Sequence, residues 1–441
     1  MNCVNVGFAK VCITPPLGIE MAGYYHSRKA KGVRDDLYAT AVAFEKDGVR
    51  TLVISTDLLY IIDVLSIKYR TQIAERLNLP LESILIMGTH IHTGPLFGKS
   101  AGTGAEEMPL YNEYLGHLLM DAAVMAMDDL KPARLSSAEG EAKGISFIRR
   151  FRMKDGSVRT NPGIGNPEIA APLGEPYEGV ILVKAEREGA DDVYIVNFAV
   201  HPDVVHGDYF SADWPGVVRS TLEKTLDGVK CAFFNGFEGD VNHIDVSPKQ
   251  GDWDVRDGYE CAKHMGRVIA GAVLQICGRT RPVEVDRIAF GSKIIVLPSN
   301  QENDRLPEMR RICELHLAGR DDEITDKADM ERVTVIAEAT RIVMLENGPE
   351  SYDFLISATR IGDLVFAGIP GEPFTEIGNR VRAASPFGTT ILCCCTNGGS
   401  TYYPTSAAYD EGGYEARASK LRKGADNIIV EGMSELIASL K

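Results

Sequence analysis

The stretch Ile84-Leu85-Ile86-Met87-Gly88-Thr89-His90-Ile91-His92-Thr93-Gly94-Pro95 constrains this chain more than any other. A short apolar run breaks off at two histidines one residue apart, and a Gly-Pro turn follows at once. The pattern predicts a buried strand that delivers imidazoles to the end of a sheet. In an extended chain residues i and i+2 share a face, so both rings can reach one point in space. One ring can then hold a metal ion while the other contacts it too or handles a proton. The fragment alone equally fits a strand end with two histidines hydrogen-bonded to their neighbours, so the rest of the chain has to decide.

The arrangement recurs. Residues 38–45 and 50–55 form a hairpin around Lys46-Asp47-Gly48, the second strand ends in Thr56-Asp57, residues 63–77 carry a helical pattern, and the His90 strand comes next. A second unit runs from the strand 193–200, which stops at His201-Pro202, through a helix over 214–226 to a strand ending in Asn235-Gly236-Phe237-Glu238-Gly239-Asp240-Val241-Asn242-His243. In the third, Leu364-Val365-Phe366-Ala367-Gly368-Ile369 ends in Pro370-Gly371-Glu372-Pro373. A helix to about residue 384 follows, then a strand over 390–395 that ends before Tyr402-Tyr403. Polar residues gathered at strand ends are what an α/β enzyme site needs. The expected fold is therefore α/β, with mixed central sheets flanked by helices.

Other segments complete the outline. Helices are expected over 110–130, with Pro132 beyond the end, and over 256–277, with one more near Leu440. Residues 306–346 hold two helical patterns separated by Gly319-Arg320-Asp321-Asp322, a helical hairpin insertion with a packing or lid role. Residues 144–179 read as irregular, and so long a segment inside a domain points to a functional loop. It carries Arg149 and Arg150, either of which can hold a carboxylate or an oxyanion.

Charge and hydropathy narrow the partners. The net charge is −15 with no run of lysine or arginine, which argues against nucleic acid and against an anionic membrane surface. Nowhere do 18 apolar residues run together, and Met1-Asn2-Cys3-Val4-Asn5-Val6-Gly7-Phe8 lacks the basic and apolar regions of a signal peptide. A cytoplasmic protein with no integral membrane segment and a small-molecule substrate is expected. The nine cysteines sit mostly in apolar runs, and Cys393, Cys394 and Cys395 fall on one expected strand with alternating faces; buried free thiols fit this better than disulfides.

The candidates at strand ends are His90 or His92, His201, Glu372, and Tyr402 or Tyr403. Two neutral imidazoles and a carboxylate suit zinc or a similar divalent ion. Such an ion lowers the pKa of its water from ~16 toward ~7 and makes hydroxide available at neutral pH. His-x-His also opens the metal sites of amidohydrolase barrels and metallo-β-lactamases. The latter continue into Asp-His where this chain has Gly94-Pro95, and the former need a regular eightfold series that is not seen. Asp57, Asp213 and Asp240 are expected to orient histidines or to support turns. His206 and His243 lie close in sequence to the site motifs, while His117 on its helix has no evident partner and reads as a surface or core residue.

Taken together, Thr89-His90-Ile91-His92-Thr93-Gly94-Pro95, Ala199-Val200-His201-Pro202, Glu238-Gly239-Asp240-Val241, Pro370-Gly371-Glu372 and the tract from Asn397 to Glu415 with Tyr402, Thr405, Tyr409 and Tyr414 resemble, in this order, the motifs of the catalytic domain of the neutral ceramidase family. The likeness spans nearly the whole chain. It implies a single catalytic domain over 1–441, interrupted by the hairpin 306–346, and a zinc-dependent amide hydrolase. Zinc would be held by His90, His201, Glu372 and Tyr402, with His92, Arg149 (or Arg150) and Tyr414 around the scissile carbonyl. The chain departs from the family at Asn242, where a serine is expected. An amide cannot be acylated, so the resemblance then implies attack by metal-activated water with Asn242 as a hydrogen-bond donor at most. The secreted members' signal peptide and carboxy-terminal β-sandwich have no counterpart here, so a small soluble amide is as fitting a substrate as long-chain ceramide. Ester or lactone hydrolysis, lyase chemistry on the same metal, and a non-catalytic ligand-binding homologue are the competing readings.

Overall fold

The computed structural model describes residues 4–98, 109–301, 304–326, 329–399 and 401–441. Met1, Asn2, Cys3 and Ser400, which entered the sequence reading, lie outside them. In chain order the principal elements begin with β1 (Val4–Cys12), β2 (Tyr38–Lys46), β3 (Val49–Thr56), α1 (Asp63–Leu77), β4 (Ile84–Gly88) and α2 (Pro109–Asp128). They continue with β5 (Lys131–Glu141), β6 (Gly179–Arg187), β7 (Asp192–Phe198), α3 (Asp213–Thr225), β8 (Val229–Asn235) and α4 (Gly258–Ile276). The last third holds β9 (Ile288–Pro298), α5 (Leu306–Leu317), α6 (Asp329–Leu345), β10 (Ser351–Ile361), β11 (Leu364–Gly368), α7 (Thr375–Ala384), β12 (Thr389–Cys393) and α8 (Ala425–Ser439).

One large sheet runs in the order β8-β7-β6-β5-β1-β2-β3-β4, and a smaller one in the order β9-β10-β11-β12. Among these pairings only β3/β4, β7/β8 and β11/β12 are parallel, and they are the strand pairs joined through α1, α3 and α7. These are the three strand–helix–strand units expected from the sequence. A parallel pair needs such a crossover, whereas antiparallel neighbours such as β2 and β3 can share a tight turn.

The two sheets stack face to face. Alternate residues of the strands, Val42, Phe44, Val53 and Leu85 from the large sheet, meet Ile361, Phe366 and Ile391 from the small one in a shared core, with the Phe44 and Phe366 rings 6.4 Å apart. The intervening positions face outward onto helices: Ala41, Leu52, Ile54 and Ile86 onto α1 and α2, and Val196 and Phe233 onto α3 and α4. On the far side Ile356, Val365 and Leu392 pack against α7 and α8. The period of two along each strand thus sorts side chains into three apolar layers between helices, sheet, sheet and helices.

The large sheet is strongly curled, which matters for function. Its edge strands β4 and β8 stand at opposite ends of the hydrogen-bonding order, yet the Ser55 hydroxyl on β3 donates to the Phe233 carbonyl on β8. Asn235 Nδ2, at the end of β8, donates to the Thr89 carbonyl at 3.0 Å. The carboxyl ends of β4, β7, β8, β11 and β12 therefore converge on one region.

Several expectations are corrected in detail. The His90 strand ends at Gly88, and His90 itself has φ +73, so the two histidines sit on a turn and not on extended chain. The last strand ends at Cys393; Cys394 and Cys395 lie beyond it, Cys395 with φ +45, so the three thiols do not alternate across one strand. Residues 144–179 are not irregular throughout but contain a small sheet of Arg150–Met153, Val158–Thr160 and Ile169–Pro172. Arg150-Phe151-Arg152-Met153 does alternate, but over only four residues, and its partner strands of three and four residues are too short to show a period. The hairpin of α5 and α6 is present, the described cysteines are free thiols, and among the described residues no helix is long and apolar enough to cross a membrane.

Candidate metal centre

His90 and His201 reach the same place from turns after β4 and β7. The His90 ring nitrogen Nδ1 lies 3.1 Å from the Leu59 carbonyl, and that of His201 lies 3.0 Å from the Glu238 carbonyl. A carbonyl only accepts, so both Nδ1 atoms carry the proton and both Nε2 lone pairs are left to point inward. The two Nε2 atoms lie 3.2 Å from a single oxygen, Glu372 Oε2. Gly371, with φ +109, makes the turn that presents Glu372; a Cβ there would stand 2.5 Å from the Thr401 carbonyl.

Neither Nε2, nor Glu372 Oε2, closes a hydrogen bond of good geometry among the described residues, although all are buried. Unsatisfied polar groups are costly in a protein interior. Three converging lone-pair donors with no proton between them in good geometry suit a divalent cation, and the residues therefore fit the ion that the sequence implied. Glu238 joins His90, His201 and Glu372 in a group whose ligand atoms lie within 4.8 Å of one another. Sequence reasoning used Glu238 only as part of a motif, yet its position after β8 mirrors that of Glu372 after β11 and was the signal available.

The electrostatics without a metal follow the same geometry. Burial pushes His201 down to about 4, with Arg149 adding to the effect. Burial would lower His90 as well, but the Glu372 carboxylate and the Cys395 thiol, 3.4 Å from its Nδ1, carry it well above its ordinary value. Glu372 is the converse: burial works to raise it, and the two imidazoles hold it well below the usual carboxylate range.

His92 does not meet Glu372 directly. Its ring lies 5.1 Å from that of His90 and 5.7 Å from that of His201, and neither nitrogen has a hydrogen-bond partner among the described residues. Burial pushes its pKa down to about 3, leaving a neutral imidazole. Asp203 Oδ1 stands 3.6 Å from His92 Nδ1, a neighbour that the sequence reading missed although it lies two residues past His201. Gly23 gives the ring its space, since a Cβ at that position would come within 2.7 Å of it.

The tyrosine and arginine alternatives separate cleanly in space. Glu372 and Tyr402 are paired residues of two short parallel strands, and the Tyr402 ring stacks 6.4 Å from His201. Tyr403 turns into the core and donates to the Pro370 carbonyl. Arg149 lines the cavity with Tyr402 and Tyr414, holding Glu415 through Nε at 2.7 Å and the Gly239 carbonyl through Nη2 at 2.7 Å. Arg150 instead reaches Glu411 and the Gly412 carbonyl. Asn242 also lines the cavity, but its Nδ2 donates to Asn161 Oδ1 at 2.9 Å and its Oδ1 accepts from the Ile244 N–H at 3.1 Å.

Among the described residues none of the three aspartates hydrogen-bonds a histidine; they hold backbone N–H groups, Thr375 and Arg219 instead. Asp57 accepts from Arg219 Nη2 at 2.5 Å and from the Tyr38 N–H, Asp213 from the N–H groups of Val204 and Val205, and Asp240 from Thr375. Main-chain carbonyls do the orienting instead, and these have no sequence signature. His206 and His243 line the cavity, and His117 is exposed on α2. Tyr24 and Tyr25, also unforeseen, line it too.

Two cavities open from this centre, one of about 600 Å³ and one of about 340 Å³. Tyr24, Tyr25, His92, Tyr402 and Tyr414 line both and so stand at their junction. Helix α6 walls both: Met330, Val333 and Ile336 face the larger, and Ala337, Thr340, Arg341 and Met344 the smaller. The three- and four-residue spacings put both sets on one face of the helix, the first along its amino-terminal half and the second along its carboxyl-terminal half.

No protein-family model matches the chain, and no curated protein matches it. Solved structures do. Neutral ceramidase from Pseudomonas aeruginosa superposes with a TM-score of 0.75, covering 99% of this chain and 74% of that one at 18% identity. A second structure, a ceramidase complexed with C2, gives a TM-score of 0.71, covering 99% of this chain and 75% of that one, also at 18% identity. The chain thus has the fold of the neutral ceramidase catalytic domain.

Proposed function

We propose that this protein is a metal-dependent hydrolase that cleaves an amide C–N bond, with zinc as the ion. The observation that carries the reading is the convergence of two outward-locked imidazoles on Glu372 Oε2, each at 3.2 Å. His90, His201 and Glu372 would hold the ion, with Tyr402 beside Glu372 as the further ligand. Bound there, a divalent ion supplies Lewis acidity and a lowered pKa for water.

The chain's own groups have distinct tasks in this reading. The neutral His92 imidazole accepts a proton as water adds its oxygen to the acyl carbon, and returns it to the amine nitrogen as the C–N bond breaks. Asp203 faces His92 Nδ1 and stabilises the imidazolium formed in between. The Arg149 guanidinium is held in place by Glu415 and the Gly239 carbonyl and, with the Tyr414 hydroxyl, faces the developing oxyanion. Asn242 stands where a nucleophilic serine would, and its two hydrogen bonds suit it to shaping the cavity wall. Residues 1–441 act as one catalytic unit, with the 306–346 hairpin inserted as a wall of the substrate cavity.

The fold likeness to ceramidases favours amide hydrolysis over ester, lactone or lyase chemistry, each of which the same donor set could serve. Stripping the purified protein with a chelator and reconstituting it with zinc tests the reading. Amide hydrolysis should vanish and return; turnover that persists in demonstrably metal-free protein sinks the reading.

A further inference from the structure

The larger cavity has two unlike walls. One is apolar, formed by Met330, Val333 and Ile336 of α6. The other is a continuous polar ladder of which the proposed hydrolysis uses only the first two members. From His92 it passes to Asp203 at 3.6 Å, whose Oδ1 accepts from the Tyr24 hydroxyl. That hydroxyl lies 2.7 Å from His206 Nδ1; His206 Nε2 lies 2.6 Å from Asp257 Oδ1, and His243 Nε2 is 3.7 Å from the same oxygen.

The order along the ladder is acceptor and donor in turn. Each carboxylate stands beside an imidazole, so the wall is not a bare anionic patch. An ammonium group only donates and has no acceptor to offer an imidazole N–H, whereas a hydroxyl both donates and accepts. The side chains also reach into the cavity with capacity left. His243 is 7% exposed, lines the cavity, and its Nδ1 has no partner among the described residues; both nitrogens of His92 are in the same state. The Asp203 and Asp257 side chains are 31% and 63% exposed.

We propose that this ladder recognises a neutral polyhydroxylated group, the amine half of an N-acylated aminopolyol. Its C–H surface lies on the α6 wall, and its hydroxyls exchange hydrogen bonds with Asp203, His243 and Asp257. The acyl half then falls in the smaller cavity beyond the junction at His92 and Tyr402. The proposal rests on the amide-hydrolase reading and narrows its substrate class.

Three acetamides of similar size test it on the zinc-loaded full chain: those of an aminopolyol, an alkylamine and a diamine. The aminopolyol should be hydrolysed with kcat/KM about tenfold or more above the other two, the discrimination expected of hydrogen bonds to charged groups. Asp257→Asn should lower kcat/KM for the aminopolyol amide about tenfold further than for the alkylamide. Asp257 is the N-cap of α4 and accepts from the Gly258 N–H, a role asparagine fills equally well, so an unchanged Tm accompanies the loss.

Equal rates on the alkylamide, preference for the diamine, or an equal loss on all three in Asp257→Asn would each overturn the proposal. The wild-type preference alone decides it should the variant not fold. Calorimetry with the free aminopolyol separates the two layers of argument. Binding without turnover of any amide keeps the ladder and removes the amidase reading, whereas amide turnover with neither preference nor binding does the reverse.

Discussion

The floor of the site and its roof are built on opposite principles. The floor comes from turns after parallel strands, where His90 and His201 are 2% and 1% exposed and each imidazole is locked by a main-chain carbonyl. The roof is the α5–α6 hairpin, whose own core is small and whose ion pairs, among them two within the hairpin and one to Arg417, draw on partly exposed arginines. Glu338 meets Arg305 at 3.3 Å and also Arg417, and Arg310 meets Glu346. The contrast teaches that chemistry and selectivity are separable here. In the proposed reading, rigid elements fix the groups that react, and a more loosely held element shapes what can reach them.

Changes to the floor should break function outright. Glu372→Ala removes the oxygen shared by both imidazoles, and metal analysis should find the ion gone. Losing several kcal/mol of charge stabilisation corresponds to a rate loss on the order of a thousandfold or more. Retained stoichiometric metal in this variant would contradict the assignment.

Arg149→Met comes next. It leaves Glu415, fully buried, without its closest cation, and should cost about 3–5 kcal/mol in chemical denaturation. Adding Glu415→Gln should recover most of that stability while turnover stays down about 10²–10³-fold. Recovery of both together would make Arg149 a structural residue only.

The floor should also give the metal-free protein a pH-dependent stability. His92 and His201 have folded pKa values of about 3 and 4, below their ordinary 6.5. The unfolded chain binds the extra protons, so their contribution is present above pH 6.5 and is lost as pH falls toward 4. His90, raised by Glu372, contributes in the opposite sense: its share is full below 6.5 and is lost as pH rises through its elevated value. Urea midpoints of the metal-free protein should thus fall on acidification from 6.5 to 4, and zinc should flatten the profile. A midpoint independent of pH across that window would mean the imidazoles are not buried as described.

The roof should respond most mildly. Glu338→Ala releases two arginines and should cost about 1 kcal/mol or less. If the roof shapes selectivity alone, KM rises while kcat holds. A fall in kcat with KM unchanged would erase the distinction between roof and floor.

Much of the floor was legible from residues alone. Each strand–helix–strand unit announces itself locally: an apolar run, polar residues where it stops, then a helical period. Tyr402 and Tyr403, or Arg149 and Arg150, could not be separated that way, because adjacent residues share a local pattern and only packing tells which faces the cavity. Asp203 and Glu238 were visible as polar residues beside strand ends, but nothing local marked their convergence on His92 and on the group His90, His201 and Glu372. The Leu59 and Glu238 carbonyls that lock the imidazoles belong to the backbone and carry no side-chain signal at all.

The sequence by itself determined which residues stand at the ends of which strands, since periodicity and turn chemistry act over a few neighbours. Tertiary structure alone decided that those ends meet. The large sheet curls until β8 meets β3 through Ser55 and meets the turn after β4 through Asn235. It also set one helix across two cavities. Both outcomes depend on contacts between residues more than a hundred positions apart, and no local pattern in the chain encodes such distances.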